Sequence, residues 1–97
     1  MQPATFTAEL FRWKEDASWF FVALPEDVSD DIADEQHGPR SGFGAVPVQV
    51  SVGETTWTTS VFPDKQRGVY VLPVKRLVRE REGLDVGVPF ALTLTVR

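Results

Sequence analysis

Residues 46–52 read VPVQVSV, and Gly53-Glu54 separates them from a second β-rich run over residues 55–62. Valine at every second position gives a strand one apolar face and one polar face. A two-residue break that contains glycine, placed between two such runs, is typical of a tight β-hairpin. The stretch therefore predicts an antiparallel sheet that buries the valine face of its central hairpin.

Four further segments on either side of this hairpin also have strand patterns. They are residues 5–13, 18–24, 69–72 and 88–96, and polar turns at 14–17 and 64–68 join neighbouring strands. The sequence thus predicts six strands in all, with a glycine-rich loop over 37–44.

The first of two predicted helices follows Pro25. Proline suits the first turn of a helix because the N–H that it lacks would be unpaired there. In the segment 26–35, Val28 and Ile32 lie four residues apart on one face, and six carboxylates surround the rest. This pattern is typical of a short amphipathic helix with acidic residues at its N-terminal end.

The second predicted helix opens at Pro73 and covers residues 74–82. Gly83 follows as a C-cap, since glycine readily adopts the left-handed conformation that ends many helices. The residues predicted to face inward are Val74, Leu77 and Val78.

The order strand, strand, helix, strand occurs twice, and three short sequence matches follow it. They are Thr5-Phe6-Thr7 with Thr56-Trp57-Thr58, Leu24-Pro25 with Leu72-Pro73, and 46–52 with 88–94, at separations of 51, 48 and 42 positions. Three matches in the same order favour an internal duplication, with half-repeats over roughly 4–53 and 54–97. Each half is too small to bury its own apolar face. We therefore expect one mainly β barrel domain over 1–97 with a pseudo-twofold axis.

The composition is that of an ordinary globular domain. Of the 97 residues, 42% are apolar and 25% are charged, and the net charge is −4; the length fits one domain. With no cysteine and one histidine, disulfides, cysteine metal sites and multi-histidine sites are excluded. No apolar run nears the roughly 20 residues of a membrane helix, and residues 1–5 carry no leader pattern. The expectation is a cytoplasmic protein with no membrane segment, cofactor or metal.

Five segments form a pattern that covers nearly the whole chain. They are residues 19–25 (WFFVALP), 42–46 (GFGAV), 57–65 (WTTSVFPDK), 70–75 (YVLPVK) and 78–79 (VR). Together they resemble the bacterial domain-of-unknown-function 1905 family. The resemblance implies a double-split β-barrel, the architecture of the swapped-hairpin dimers of AbrB and MazE type regulators and antitoxins. Gly87-Val88 stands where the family usually has Gly-Asp, and the family brings no assigned activity.

Aromatic, hydroxyl and cationic residues in the second half form the candidate ligand site. They lie in adjacent predicted elements and comprise Trp57, Ser60, Lys65, Tyr70, Lys75 and Arg79. Cations beside aromatic rings suit a small anionic ligand or a peptide carboxylate. The alternative is that the aromatic residues belong to the core and the charges only solubilise the surface. The run Trp19-Phe20-Phe21 also places aromatic side chains on both faces of one strand, so at least one of them needs cover or a ligand.

The distribution of charge argues against nucleic-acid binding. Residues 1–35 carry two basic and nine acidic residues, whereas residues 36–97 carry eight and five. Binding of duplex DNA in the AbrB manner needs several lysines or arginines on one symmetric face. The first half cannot supply its share of such a face.

Catalysis has little support in the sequence. His37 has no evident nucleophilic partner, and Ser60 lies outside any Gly-x-Ser-x-Gly elbow. The carboxylates of residues 26–35 lack the spacing of a calcium loop, and a solvated helix face explains them. The sequence favours a non-catalytic binding or interaction module for a small anionic ligand or a protein partner. An AbrB-like nucleic-acid-binding protein is the alternative, a small enzyme is third, and the duplication favours a monomer.

Overall fold

The computed structural model describes residues 2–13, 19–35 and 44–97. They form a mainly β structure with two helices, which confirms the predicted fold class at that level. In chain order the elements are β1 (Ala4–Ala8), β2 (Leu10–Arg12), β3 (Phe20–Ala23), α1 (Glu26–Glu35), β4 (Val46–Val52), β5 (Thr55–Asp64), β6 (Val69–Pro73), α2 (Arg76–Glu82) and β7 (Phe90–Val96). The predicted turn over 14–17 and most of the predicted loop over 37–44, with His37, lie outside the described residues.

The strands form one antiparallel sheet in the order β1-β7-β4-β5-β6-β3-β2. The two strands that end this order, β1 and β2, are consecutive in the chain and only Glu9 separates them. Because one short stretch supplies both ends of the order, the sheet must curl round until its ends approach each other. Its inner face surrounds the core.

The core begins with the valine face of β4, as the alternating pattern predicted. The valines at positions 46, 48, 50 and 52 are buried, whereas Pro47 and Gln49 between them are exposed. The two helices close over the sheet with apolar side chains of their own, Val28 and Ile32 from α1 and Val78 from α2. Neither helix of the described ranges is long and apolar enough to cross a membrane.

The first predicted strand, 5–13, is instead two strands that part at Glu9. β1 pairs with β7, whereas β2 pairs with β3. Ala8 and Leu10 are buried on either side of the exposed Glu9, so the inward phase continues across the break. Pairing with two different partner strands therefore splits a segment whose residue pattern is continuous.

The second helix begins two residues later than predicted. Pro73 is the last residue of β6 and lies opposite Phe21 of β3. The N–H of Val74 donates to the carbonyl oxygen of Phe20 at 2.9 Å. These contacts hold residues 73 and 74 in line with the sheet, so α2 starts only at Arg76. Gly83 caps the helix as predicted, with a φ of 61°.

Two features near α2 differ from the sequence-based expectation: the exposure of Leu77, which was predicted to face inward, and the start of the last strand. Leu77 is exposed because it lies about 100° around the helix from the buried Val78. The last strand begins at Phe90 rather than Val88, since the N–H of Val88 donates to the carbonyl oxygen of Asp85 in a turn. Val88 is consequently exposed as well.

A buried hydroxyl joins α1 to the sheet. Ser29 is 5% exposed, and its Oγ accepts a hydrogen bond of 3.0 Å from the backbone N–H of Tyr70 in β6. Without this acceptor the amide of Tyr70 would be buried and unpaired, which costs more than a hydrogen bond contributes in water.

We predict that Ser29→Ala lowers the free energy of unfolding by about 1–2 kcal/mol. A domain of this size then loses roughly 4–8 °C of melting temperature for each kcal/mol. Asp30→Ala is the matched control on the same helix, because Asp30 is exposed and surface changes stay within about 0.5 kcal/mol. Equal melting temperatures for the two variants would show that the hydroxyl does not support the amide.

The turn after β5 is built around the carboxylate of Asp64. Its Oδ1 accepts hydrogen bonds from the backbone N–H groups of Gln66 at 2.9 Å and Arg67 at 3.3 Å, and Oδ2 pairs with Nη1 of Arg67 at 3.0 Å. Burial of the carboxyl raises its pKa, but these hydrogen bonds and the Arg67 charge outweigh it. The pKa of Asp64 in the folded protein is therefore lowered from its ordinary value of 3.8.

Asp64 consequently makes stability depend on pH in the acid range. A carboxyl with a lowered folded pKa stabilises the protein above its unfolded pKa, and this contribution disappears as the pH falls through the folded pKa. We predict that wild type exceeds Asp64→Asn in stability at neutral pH, and that the difference shrinks once the pH drops below 3.8. Urea unfolding over a pH series measures this difference, with Asp85→Asn as a control at an exposed aspartate. A difference that stays constant with pH would contradict the prediction.

Candidate functional site

A cleft of about 410 Å³ opens where β6 separates from β5. β5 pairs with β4 over residues 55–61 and with β6 only over residues 62–64. β6 then leaves β5 and pairs with β3 through residues 71–73. The separation leaves a gap beside β5, and α2 and the residues that precede it line one side of this gap. We call this gap the basic cleft, and it is lined by Trp19, Phe20, Trp57, Thr58, Thr59, Pro73, Val74, Lys75, Arg76 and Arg79.

Aromatic side chains form one side of the basic cleft. Trp57 comes from β5 and is 8% exposed, because most of its ring packs against the core. Phe20 of β3 is half-buried and packs against the same core. Trp19, which precedes β3, is 66% exposed and lies at the rim. A ligand in the cleft would therefore meet aromatic rings that the fold already holds in place.

Three cations from α2 and its N-terminal flank form the other side. Arg79 donates from Nε to the carbonyl oxygen of Val74 at 3.2 Å, and its guanidinium lies 4.0 Å from the centre of the Phe20 ring. Lys75 is exposed and makes no ion pair with any described residue. Arg76 pairs with Glu80, four positions further along α2, at 2.7 Å. Among the residues that the structure describes, no acidic side chain lines the cleft, so the charges of its lining are all positive.

The structure brings three of the six predicted site residues together and places the other three elsewhere. Trp57, Lys75 and Arg79 line the basic cleft. Ser60 lies opposite Pro47 in the β4–β5 ladder and does not line it. Lys65 and Tyr70 line a separate hollow of about 280 Å³ beside α1, where Tyr70 is buried.

Trp19, Phe20 and Arg76 also line the cleft, although they were not among the predicted site residues. The run Trp19-Phe20-Phe21 carried a signal, since aromatic side chains on both faces of a strand predicted that one of them needs cover or a ligand. Phe20 lies on the cleft side and Phe21 on the opposite side of β3. Which face belonged to the cleft depends on how β3 pairs with β6, and the residue pattern does not contain that information.

A second concave surface lies on the outer side of β3, where Phe21 is covered by neighbouring rings. The ring of Phe21 lies 5.3 Å from that of Trp13, 6.3 Å from that of Trp19 and 6.0 Å from that of Phe11, measured between ring centres. Trp13 remains 49% exposed. The concavity measures about 540 Å³, and we call it the aromatic surface; it is lined by Trp13, Trp19, Phe21, Phe62, Pro63, Asp64, Lys65, Gln66, Val71 and Pro73. Trp19 and Pro73 line both this surface and the basic cleft, so the two are continuous.

Carboxylates line a third concavity, which lies between α1 and the N-terminal residues 2–5. We call it the acidic cleft, and its acidic residues are Asp27, Asp31, Asp34 and Glu35. Among the described residues, no group of histidine, aspartate and glutamate side chains is placed to hold a metal ion. α1 thus lines a cleft with acidic side chains, whereas α2 lines one with basic side chains.

The chain belongs to the family described as domain of unknown function DUF1905, whose model matches residues 6–94. The match confirms the family resemblance found in the sequence, and it includes every described residue that lines the basic cleft. Comparison with the curated proteins finds no significant match. The family description names no activity.

Arg79 supports the fold as well as the charge of the basic cleft. We predict that Arg79→Ala lowers the free energy of unfolding by about 1–2 kcal/mol, because it removes a cation–π contact and a hydrogen bond to Val74. Lys75→Ala should change it by no more than about 0.5 kcal/mol, since the side chain is exposed. Thermal unfolding of the two variants tests this difference. Similar melting temperatures would mean that the contact with Phe20 contributes nothing to stability.

Proposed function

We propose that the protein is a non-catalytic binding module whose basic cleft takes an anionic group. The observation that carries this proposal is the lining of the cleft, where three cations face aromatic side chains and none of the described lining residues is acidic. An anion there would accept charge-assisted hydrogen bonds, which are about twice as strong as neutral ones. The adjoining Trp57 and Trp19 favour an anion attached to a flat or apolar group.

The state of each cation supports binding rather than a purely solubilising role. Arg79 is already oriented by Phe20 and Val74, so it loses little conformational freedom when it meets a ligand. Lys75 is exposed and has no carboxylate partner among the described residues. The Arg76–Glu80 pair is solvent-exposed, and such pairs are worth little, so Arg76 can exchange this partner at small cost.

Titration with phenyl phosphate tests the proposal, because this probe joins an anion to an aromatic ring. Binding is followed by tryptophan fluorescence, since two of the three tryptophans line the cleft. We predict that Lys75→Ala weakens binding about tenfold or more, the equivalent of one lost charge-assisted hydrogen bond of about 1.5–3 kcal/mol. Arg81→Ala is the matched control, because Arg81 is an exposed cation on α2 that does not line the cleft.

Two outcomes would contradict this function. If wild type does not bind phenyl phosphate, or if the Lys75 and Arg81 variants bind it equally well, the basic cleft is not an anion site. A short DNA duplex is included as a second probe. Duplex binding that falls steeply with salt and outweighs phenyl phosphate binding would favour nucleic-acid recognition instead.

We further propose that the sheet is a double-split barrel made of two duplicated halves. Two pairs of equivalent contacts support this architecture. The hydroxyls of Thr5 and Thr93 lie 2.9 Å apart, and those of Thr56 and Ser51 lie 2.8 Å apart. Thr56 lies 51 positions after Thr5, and Thr93 lies 42 positions after Ser51. These are the same separations as in the sequence matches.

The junctions between strand and helix give the other pair of contacts. The N–H of Leu24 donates to the carbonyl oxygen of Tyr70 at 3.0 Å, and that of Val74 donates to Phe20 at 2.9 Å. Leu24 and Val74 lie 50 positions apart, and so do Phe20 and Tyr70. The first residues of α1 and α2 are separated by the same 50 positions. This spacing replaces the 48 suggested by Leu24-Pro25 and Leu72-Pro73. With both halves on one chain, a monomer is the expected state.

A further inference from the structure

Inside the basic cleft, one backbone edge of β5 is not paired with any described strand. Residues 55–61 hydrogen-bond to β4 on one side, but β6 occupies the other side only at residues 62–64. No backbone or side-chain group of the described turns, loops and helices bonds to residues 57–61 from that side. In a strand, N–H and C=O groups point alternately to the two edges. Some of the backbone groups of residues 57–61 therefore face the cleft with no partner from the described parts of the chain.

We propose that an extended, acidic peptide segment of a partner protein binds here by adding a strand to β5. This inference rests on the proposed function, because a carboxylate of the segment would be the anionic group that the cleft takes. In strand addition, main-chain hydrogen bonds supply affinity and alternate side chains supply specificity. A segment antiparallel to β5 would continue the line that β6 leaves when it turns toward β3.

Charge complementarity identifies the segment as acidic. Lys75, Arg76 and Arg79 line the same cleft as Thr58 and Thr59 of the free edge. β1 is the counterpart of β5 in the other half, and it too pairs on one side only, with β7. The cleft beside it is the acidic one. An acidic segment is therefore attracted to the edge of β5 and repelled from that of β1.

The aromatic surface adds a requirement for an apolar residue. It joins the basic cleft at Trp19 and Pro73, so a segment that leaves the cleft in this direction passes over exposed rings. Apolar concavities rimmed by polar residues commonly mark interaction sites. The binding segment should thus combine aspartate or glutamate with a large apolar residue a few positions away.

A second copy of this chain fits the edge less well than an acidic segment does. Pairing of β5 with β5 of another molecule would bring two basic clefts against each other. Like charges placed opposite one another oppose such an interface. A small anion alone would also leave the backbone groups of the edge unpaired.

The test begins with selection of short random peptides on the wild-type protein. We expect the selected peptides to carry aspartate or glutamate and a large apolar residue. Lys75→Glu should weaken their binding about tenfold or more, whereas Arg81→Glu, the same charge change outside the cleft, should leave it nearly unchanged. Lys75→Gln serves as a second variant should the charge reversal disturb folding, which thermal unfolding reports.

Methylation of peptide backbone nitrogens then separates strand addition from binding through side chains alone. Methylation at one set of alternate positions removes hydrogen bonds to β5 and should abolish binding. Methylation at the other set, whose N–H groups point to solvent, should be tolerated. Hydrogen exchange on wild type with bound peptide should slow at amides within residues 57–61.

The outcomes distinguish this inference from the function on which it rests. If no peptide is selected, if both methylated sets bind alike, or if Lys75→Glu binds peptides as wild type does, strand addition is wrong. If strand addition fails in one of these ways but phenyl phosphate binding still depends on Lys75, the anion site stands and only the proposed peptide binding is refuted. Loss of both Lys75-dependent bindings refutes the two together.

Discussion

The division of β5 between two partner strands is the constraint on which the rest of the structure depends. Because residues 55–61 of β5 pair with β4 and only residues 62–64 pair with β6, the sheet bends at the point where the partner strand changes. The bend turns the inner faces of β4, β7 and β3 toward one core, and it leaves a gap beside β5. α2 covers part of this gap by inserting Val78 into the core, and the part that stays open is the basic cleft. Fold and site thus have one geometric origin.

Much of this architecture could be predicted from the sequence, because burial in a strand follows the residue pattern. The alternating valines of residues 46–52 gave the central strand and its buried face, and Gly83 gave the end of α2. The break at Glu9 could not be predicted, since Ala8 and Leu10 keep the inward phase across it and only the choice between β7 and β3 creates it. The start of α2 at Arg76 could not be predicted either, because it depends on the pairing of Pro73 with Phe21 and on the hydrogen bond from Val74 to Phe20. Neither contact is evident from the sequence around Pro73.

The candidate site was predictable to the extent that its residues come from one helix and one strand. Arg79 lies on α2 and Lys75 is the N-cap residue just before it, so their four-residue spacing places both on one side of the helix start. Ser60 and Trp57 are three apart on a strand, and an odd separation sends them to opposite faces. Tyr70 was close to the site in sequence, but β6 turns its ring toward α1. Proximity along the chain therefore identified the site residues at the start of α2 and within it more reliably than the site residues on strands.

An unpaired strand edge is a hazard as well as an opportunity, because it invites pairing with any extended chain. Proteins limit this hazard with charged side chains placed along the edge, lysine above all. Lys75, Arg76 and Arg79 occupy such positions beside β5, where they repel another copy of the same cleft and basic segments in general. The same charges attract an acidic segment. The same three cations therefore both oppose unwanted pairing and select one kind of partner. A chain of 97 residues can in this way leave the edge of β5 open without aggregating.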